Sequence, residues 1–144
     1  MPDSTLPSQL RELVRLYLAA QRRFIHDQGL TAQGHLLLQL QRLGPVTQIE
    51  FGRAANLDKS WISRIVDRLV ADGLVQRVPL QSDRRCLQLH LTAAGAEQAK
   101  RVDRLLGEHA SELIAGVAQS DRPAIGAALD ALIDALRQPV AQER

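Results

Sequence analysis

Residues 58–77, DKSWISRIVDRLVADGLVQR, read as a helix that ends at a glycine and continues as a strand. Ile62, Ile65, Val66 and Leu69 recur at the spacing of one buried helical face. Gly73 stands where a helix C-terminus favours a left-handed residue. Beyond it, LVQRV (74–78) alternates with the period of a strand. The opposite face of the helix carries Lys59, Ser60, Trp61, Arg64 and Arg68. A helix anchored by its apolar side needs only solubility there, so this set of side chains calls for an explanation.

The flanking sequence supplies the context. Asp58 caps the helix, and Asn56 and Leu57 form a tight turn before it. Thr47 with Glu50 three residues on is a capping box for a short helix reaching about Ala55. Upstream, a helix opening at Thr31 runs to about Leu43 and is stopped by Gly44-Pro45. A first helix over 8–27 carries Leu10, Leu13, Val14, Tyr17, Phe24 and Ile25 on one side, with Pro7 and Ser8 at its start and Gly29 at its end. Leu6, Leu16 and Leu18 make its apolar stripe wider than one neighbour would cover, as in a helix that packs against more than one partner, another subunit being one candidate.

Downstream, CLQLHL (86–91) alternates, with Leu87, Leu89 and Leu91 on one face and Cys86, Gln88 and His90 on the other. The polar PLQSDRR between the two strands is the extended tip of a two-stranded hairpin. Thr92 then caps a long helix over about 93–118, built on Val102, Leu105, Leu106, Leu113, Ile114 and Val117. QSDRP (119–123) breaks it. A last helix over 122–137 takes Pro123 in its first turn, carries Ile125, Leu129, Leu132, Ile133 and Leu136, and is closed by Pro139. The expected fold is mainly α with a two-stranded β-wing and about six helices.

Composition agrees with that class. Apolar residues make up 45% of the 144 and aromatic residues 3%, so the core must be aliphatic. The formal charge of +2 is too small to imply a partner. Its distribution says more: Arg53 to Arg85 holds seven basic and four acidic residues, the local excess that a phosphate backbone selects. The one cysteine, Cys86, excludes an intramolecular disulfide. The N-terminal residues do not read as a secretion signal, and no apolar run approaches the roughly 18 residues of a membrane helix. A cytoplasmic protein with no membrane association is the expectation.

Helix, short turn, helix and β-hairpin in that order form a winged helix-turn-helix, whose second helix fits the DNA major groove. On that geometry Ser60, Trp61 and Arg64 point outward near the helix N-terminus, where base edges are reached: Arg64 can fork onto guanine, Ser60 and Ser63 can donate to bases or phosphates, and Trp61 can lie against a thymine methyl or a sugar. Lys59 and Arg68 suit phosphates, which set register and not sequence. The plainer alternatives are a solvated surface for Lys59 and Arg68 and a core position for Trp61. Asp67 faces the hairpin side, where Arg77 is a candidate partner.

GRAANLDKSWISRIVDRLVADGLVQR, followed by SDRRCLQLHLTAAG, resembles the MarR family of bacterial transcription regulators. The matching features are Ser63-Arg64, Asp67-Arg68-Leu69, Gly73-Leu74-Val75, the wing tip Asp83 to Arg85, and Leu91-Thr92-x-x-Gly95, within residues 45–95. The resemblance implies one MarR-type domain over 1–144. Residues 31–92 would form the DNA-binding lobe, and 6–28 and 93–138 the helical dimerisation region. It implies a homodimer, double-stranded DNA with an inverted-repeat operator as partner, and repression as the mode. It also implies that Arg85 enters the minor groove, that Asp83 orients it, and that Arg84 holds phosphate.

The resemblance further implies a small, often phenolic or aromatic, acid bound in a crevice; Tyr17, Phe24, His26, His35 and Arg42 are the candidate lining residues. Two variants stay open. Cys86 lies beside Arg84 and Arg85, which favour its thiolate and so a redox response. Other relatives bind zinc: His35 sits where one such ligand would lie and Glu108, His109 and Glu112 cluster on the long helix, although Gly34 stands where that subgroup has a carboxylate. No cofactor and no resident metal are expected.

Two other classes compete. An enzyme is disfavoured, because the chain has no phosphate-cradling glycine loop, no HExxH, no paired cysteines and no nucleophile motif. A winged-helix module that binds only protein tends to lose the basic face, whereas Arg64, Arg68, Arg84 and Arg85 are all present.

Overall fold

The computed structural model describes residues 5–138. Contacts divide the chain between Gly107 and Glu108 into two units. The first contains α1 (Thr5–Asp27), α2 (Ala32–Leu43), β1 (Val46–Thr47), α3 (Gln48–Ala54), α4 (Lys59–Ala71), β2 (Val75–Pro79), β3 (Leu87–Leu91) and the start of α5 (Ala93–Ala115). The second takes the rest of α5, a 3-10 turn at Gln119–Asp121 and α6 (Arg122–Arg137).

The core of the first unit is aliphatic apart from Phe51. Leu37 and Leu40 from α2, Phe51 from α3, and Ile62, Val66 and Leu69 from α4 meet Leu74, Val75, Leu89 and Ala99. The helical spacing of the sequence is thus realised as one contiguous cluster, in which burial of each large side chain contributes about 1.5–3 kcal/mol. Ile65, also expected inward, packs at the edge of this cluster and is partly buried.

The sheet differs from expectation in one respect. Three strands are present, not two, in the antiparallel order β1-β3-β2. The added strand is only Val46–Thr47, with Val46 opposite Leu89 and Thr47 opposite Gln88. Two residues are too few to show any alternation, so the sequence carries no signal for it. The β2–β3 register places Val75 opposite Leu91 and Arg77 opposite Leu89. Burial fades along β3, from Leu89 at 1% exposed to Leu87 at 42%. Strand pairing begins at Leu87, which leaves Cys86 in the tip.

Helix ends shift by a few residues. The first helix starts at Thr5, because Pro7 in its first turn removes no bond the helix would make. The long helix ends at Ala115, just before Gly116. The capping box at Thr47 is formed: the Glu50 amide donates to Thr47 Oγ1 at 3.2 Å, and the Thr47 amide donates to Glu50 Oε2 at 3.0 Å. Pro139, the expected stop for α6, lies outside the described residues.

The second unit buries no side chain of α6. Leu129, Leu132, Ile133 and Leu136 are exposed on it. Arg122 donates from Nη2 to the Val117 carbonyl at 3.2 Å, closing an acceptor just past the end of α5. Among the described residues no helix is long and apolar enough to cross a membrane.

One fastening fixes the exit of α4 against the re-entry into α5. Gly73 adopts φ 72°, the left-handed conformation expected of it. Thr92 Oγ1 donates to the Gly73 carbonyl at 2.6 Å and accepts from the Gly95 amide at 3.1 Å, while the Thr92 amide donates to the Leu74 carbonyl at 3.0 Å. Gly95 lies so close to this crossing that a Cβ there would overlap the Leu74 carbonyl oxygen. Gly107 in the same helix has open space around its Cα. We therefore expect Gly95→Ala to destabilise by about 3 kcal/mol, and Gly107→Ala to be neutral or to stabilise by up to about 1 kcal/mol, in urea unfolding followed by far-UV circular dichroism.

Candidate nucleic-acid interface

The rotation of α4 about its own axis is set from below. Ile62, Val66 and Leu69 are at most 3% exposed. Gly52 of α3 lets that helix approach Ile62, where a Cβ would come within 3.3 Å of Ile62 Cγ2. The turn between the two helices is short because Asn56 takes a left-handed φ of 53°. The Leu57 amide donates to the Gly52 carbonyl at 2.9 Å, and Gln39 Nε2 of α2 donates to the Ala54 carbonyl at 2.8 Å.

With the inner face fixed, Lys59, Ser60, Trp61, Arg64 and Arg68 are exposed and Ser63 is half-buried. Trp61 is 58% exposed, so it is no core residue in this chain. Asp58 caps the helix, its Oδ1 accepting from the Trp61 amide at 2.9 Å and from Ser60 Oγ at 3.0 Å. The Trp61 amide bond, then the Ser60 hydroxyl, hold the Asp58 carboxyl below the usual aspartate range, with a smaller contribution from nearby Arg64. Ser60 therefore spends its proton on the cap. Arg68 Nε donates to Asp72 Oδ2 at 3.4 Å, an oxygen that also accepts from Gln33 Nε2 at 2.9 Å.

The wing tip is organised by Asp83. Its Oδ1 accepts from the Arg85 amide at 3.0 Å, and its backbone carbonyl accepts from the Cys86 amide at 3.0 Å. Asp83 thus shapes the backbone of the turn, in the manner of an aspartate that bonds its own chain two residues on. The Arg84 and Arg85 side chains are exposed at that turn. Cys86 is exposed too, with its Sγ 3.7 Å from Asp83 Oδ2.

Behind the tip, Arg77 of β2 joins the wing to both helices. Its Nη2 donates to Asp67 Oδ1 of α4 at 2.6 Å and to Gln48 Oε1 of α3 at 3.3 Å. Asp67 was legible in the sequence as a partner. Gln48 was not, because only the pairing of β1 with β3 brings the start of α3 beneath the sheet.

The residues expected to line a crevice separate into two groups. Tyr17, His35 and Arg42 border one cavity of about 650 Å³, together with Gln21, Gln39 and Asp103. Within that lining Arg42 Nη2 stands 3.4 Å from Asp103 Oδ1. Phe24 and His26 are not among its lining residues, and the His26 side chain is 90% exposed beside Asp27. Asp103 sits sixty-one positions from Arg42, so no local spacing signals the pairing. Among the described residues no group of three or more His, Cys, Asp or Glu side chains is placed to hold a metal ion.

The cap makes a pH-dependent prediction. A carboxyl whose pKa is depressed by folding contributes stability at pH values above its unfolded pKa, and that contribution is lost as pH falls through the folded value. Asp58→Ala should lower Tm at pH 7, with the difference from the wild type shrinking in acid below the ordinary aspartate range; a Tm difference that persists undiminished at the lowest pH would refute the assignment.

Comparison with known proteins finds relatives of this geometry. Residues 31–87 match the model of the MarR family. The multiple antibiotic resistance protein MarR of Escherichia coli (strain K12) is 30% identical over 77 residues, which are 54% of this chain and 54% of that protein, so the match spans about half of the relative's length. The crystal structure of RV1404 from Mycobacterium tuberculosis superposes with a TM-score of 0.77 at 26% identity, covering 96% of this chain and 97% of that one. That of Bordetella bronchiseptica BpsR, described with regulation of its DNA binding by 6-hydroxynicotinic acid, superposes with a TM-score of 0.62 at 23% identity over 90% and 93% of the two chains. Residues 31–87, the span that holds the winged helix-turn-helix, are thus similar to the MarR family model.

Proposed function

We propose that this protein is a sequence-specific DNA-binding transcriptional regulator of the cytoplasm that grips an inverted-repeat operator as a homodimer and acts as a ligand-responsive repressor. The observation that carries this reading is the two-sided character of α4. Its inner face is sealed into the core by Ile62, Val66 and Leu69, and its outer face offers Lys59, Ser60, Trp61 and Arg64 to solvent. Ser63, half-buried, flanks that face. Arg64 reads a guanine edge, Trp61 lies against a thymine methyl or a sugar, and Lys59 and Arg68 contact phosphates. On the wing, Arg85 enters the minor groove, where the potential of a narrow groove favours guanidinium, and Arg84 holds phosphate.

Two features support the dimer. On α1, Leu6, Leu10, Leu13, Val14, Leu16 and Leu18 are all more than two-fifths exposed. On α6, Leu129, Leu132, Ile133 and Leu136 are exposed as well. Apolar surface on this scale marks an association face. A two-fold dimer sets two α4 helices about one turn of duplex apart, which accounts for an inverted repeat.

The cavity bordered by Tyr17, His35 and Arg42 supports the ligand-responsive part. A phenol, an imidazole and a guanidinium around about 650 Å³ suit a small aromatic acid. BpsR, whose structure is described with 6-hydroxynicotinic acid, supports the same class of effector. A ligand lowers operator affinity only if it prefers a conformation the DNA does not.

The test begins with duplexes selected by the wild-type protein from a random pool. Arg64→Ala should weaken binding by about 1–3 kcal/mol and relax preference at one base pair of each half-site. Arg85→Ala should weaken it as well. Unchanged affinity and preference for both variants in gel-shift titrations would overturn the assignment. Added aromatic acids such as 6-hydroxynicotinic acid or salicylic acid should release the wild-type complex, and Arg42→Ala should blunt that release while leaving binding without acid intact.

A further inference from the structure

We infer that Arg77 is a positioning residue that sets the angle of the wing to the reading helix, so that Arg85 and Arg64 reach their two grooves together. The inference rests on the DNA-binding reading above. It starts from an oddity of the sheet. Arg77 lies opposite Leu89 on the face that elsewhere carries Val46, Val75 and Leu91. A charged side chain at a core-facing position of a strand is out of keeping with its neighbours, unless its head group has a task there.

The head group is held at two points. A single nitrogen, Nη2, has two hydrogens, and it donates to Asp67 Oδ1 at 2.6 Å and to Gln48 Oε1 at 3.3 Å. The three residues come from β2, α4 and α3. The Arg77 side chain is 28% exposed and that of Asp67 65%. An ion pair so open to water contributes little to stability. What it supplies is direction. Apolar contact beneath the sheet is non-directional and would tolerate a range of tilts, whereas a short charge-assisted hydrogen bond has one favoured geometry. The hairpin continues from Arg77 through Val78 and Pro79 to the tip at Asp83–Arg85, so a small tilt at its base becomes a larger displacement of Arg85. Asp67 lies one turn along α4 from Arg64, on the same rigid helix. The pair therefore connects the two elements that must fit the duplex simultaneously.

A residue that acts through the wing predicts non-additivity with the wing. The double-mutant cycle joins Arg77→Met, which keeps an apolar stem, with Arg85→Ala, on a duplex selected by the wild-type protein from a random pool. Arg85→Ala should cost roughly tenfold in affinity in the wild-type background, and less than about twofold once Arg77 is Met, because the displaced wing no longer delivers Arg85. Arg77→Met should also shed protection of the flanking minor grooves in hydroxyl-radical footprints while the central major-groove protection persists. Its salt slope should fall by about 0.9 for each phosphate the displaced wing no longer neutralises. Asp67→Asn repeats the cycle from the other side of the pair and should give the same non-additivity.

A purely structural role would weaken binding at both grooves alike, and Arg85→Ala would then cost the same in both backgrounds; that result overturns the inference. So would failure of both Arg77→Met and Asp67→Asn to fold, which would assign the pair to stability. If the wild-type protein selects no duplex at all, or Arg85→Ala is without effect in the wild type, the DNA-binding reading itself fails.

Discussion

The burial of one face of α4 governs everything the outer surface presents. Ile62, Val66 and Leu69 sit against Phe51, Leu37, Leu40 and Leu89 with almost no solvent contact. A helix so seated has no freedom to roll, and each outward side chain inherits its direction from that packing. Each of these apolar contacts is non-specific, yet together they aim Trp61 and Arg64. Lys59 and Arg64, exposed on the outer face, are not part of that packing. That division of labour is what lets a mostly aliphatic core, with Phe51 as its one fully buried aromatic, carry a polar interface.

The wing solves a different problem. Three short strands make a weak sheet, and β1 supplies only two residues to it. The sheet gains its rigidity from what lies around it. Leu89 is enclosed by the core, Thr92 clamps the end of α4 to the start of α5, and Arg77 ties the hairpin base to α3 and α4. Toward the tip these constraints thin out, and exposure rises from Leu89 to Leu87. At the tip the fold relies on local bonding, by Asp83 to the Arg85 and Cys86 amides and by the Leu80 amide to the Cys86 carbonyl. A wing firm at its base and locally braced at its end can present Arg84 and Arg85 without a core of its own.

The cavity near Tyr17 belongs to a third level of organisation. Its walls come from α1, α2 and α5 within the first unit, and its charged groups are Arg42 and Asp103, both largely exposed. The paired charges in its lining present a guanidinium that a carboxylate already partners. On the ligand-responsive proposal, an acid entering there would exchange one anionic partner for another, and its net gain would depend on its fit between Tyr17 and His35.

The sequence by itself determined the helices, their order and the two faces of α4, because periodicity, capping residues and glycine positions are local properties. Thr47 with Glu50, Asp58, Gly73 and Thr92 all do in three dimensions what their residue types dictate over three or four neighbours. The pairing of Asp67 with Arg77 was within reach as well, since both follow from the helix and strand phases of one continuous stretch. Only the tertiary structure decided what depends on distant segments meeting. Val46–Thr47 becomes a strand because β3 is there to pair with it, Gln48 then falls beneath Arg77, and Arg42 finds Asp103 in the cavity lining. It also separated Tyr17, His35 and Arg42, which share that cavity, from Phe24 and His26, which do not line it. No window of sequence contains such information, because these meetings follow from the way α1, α2, β3 and α5 pack together.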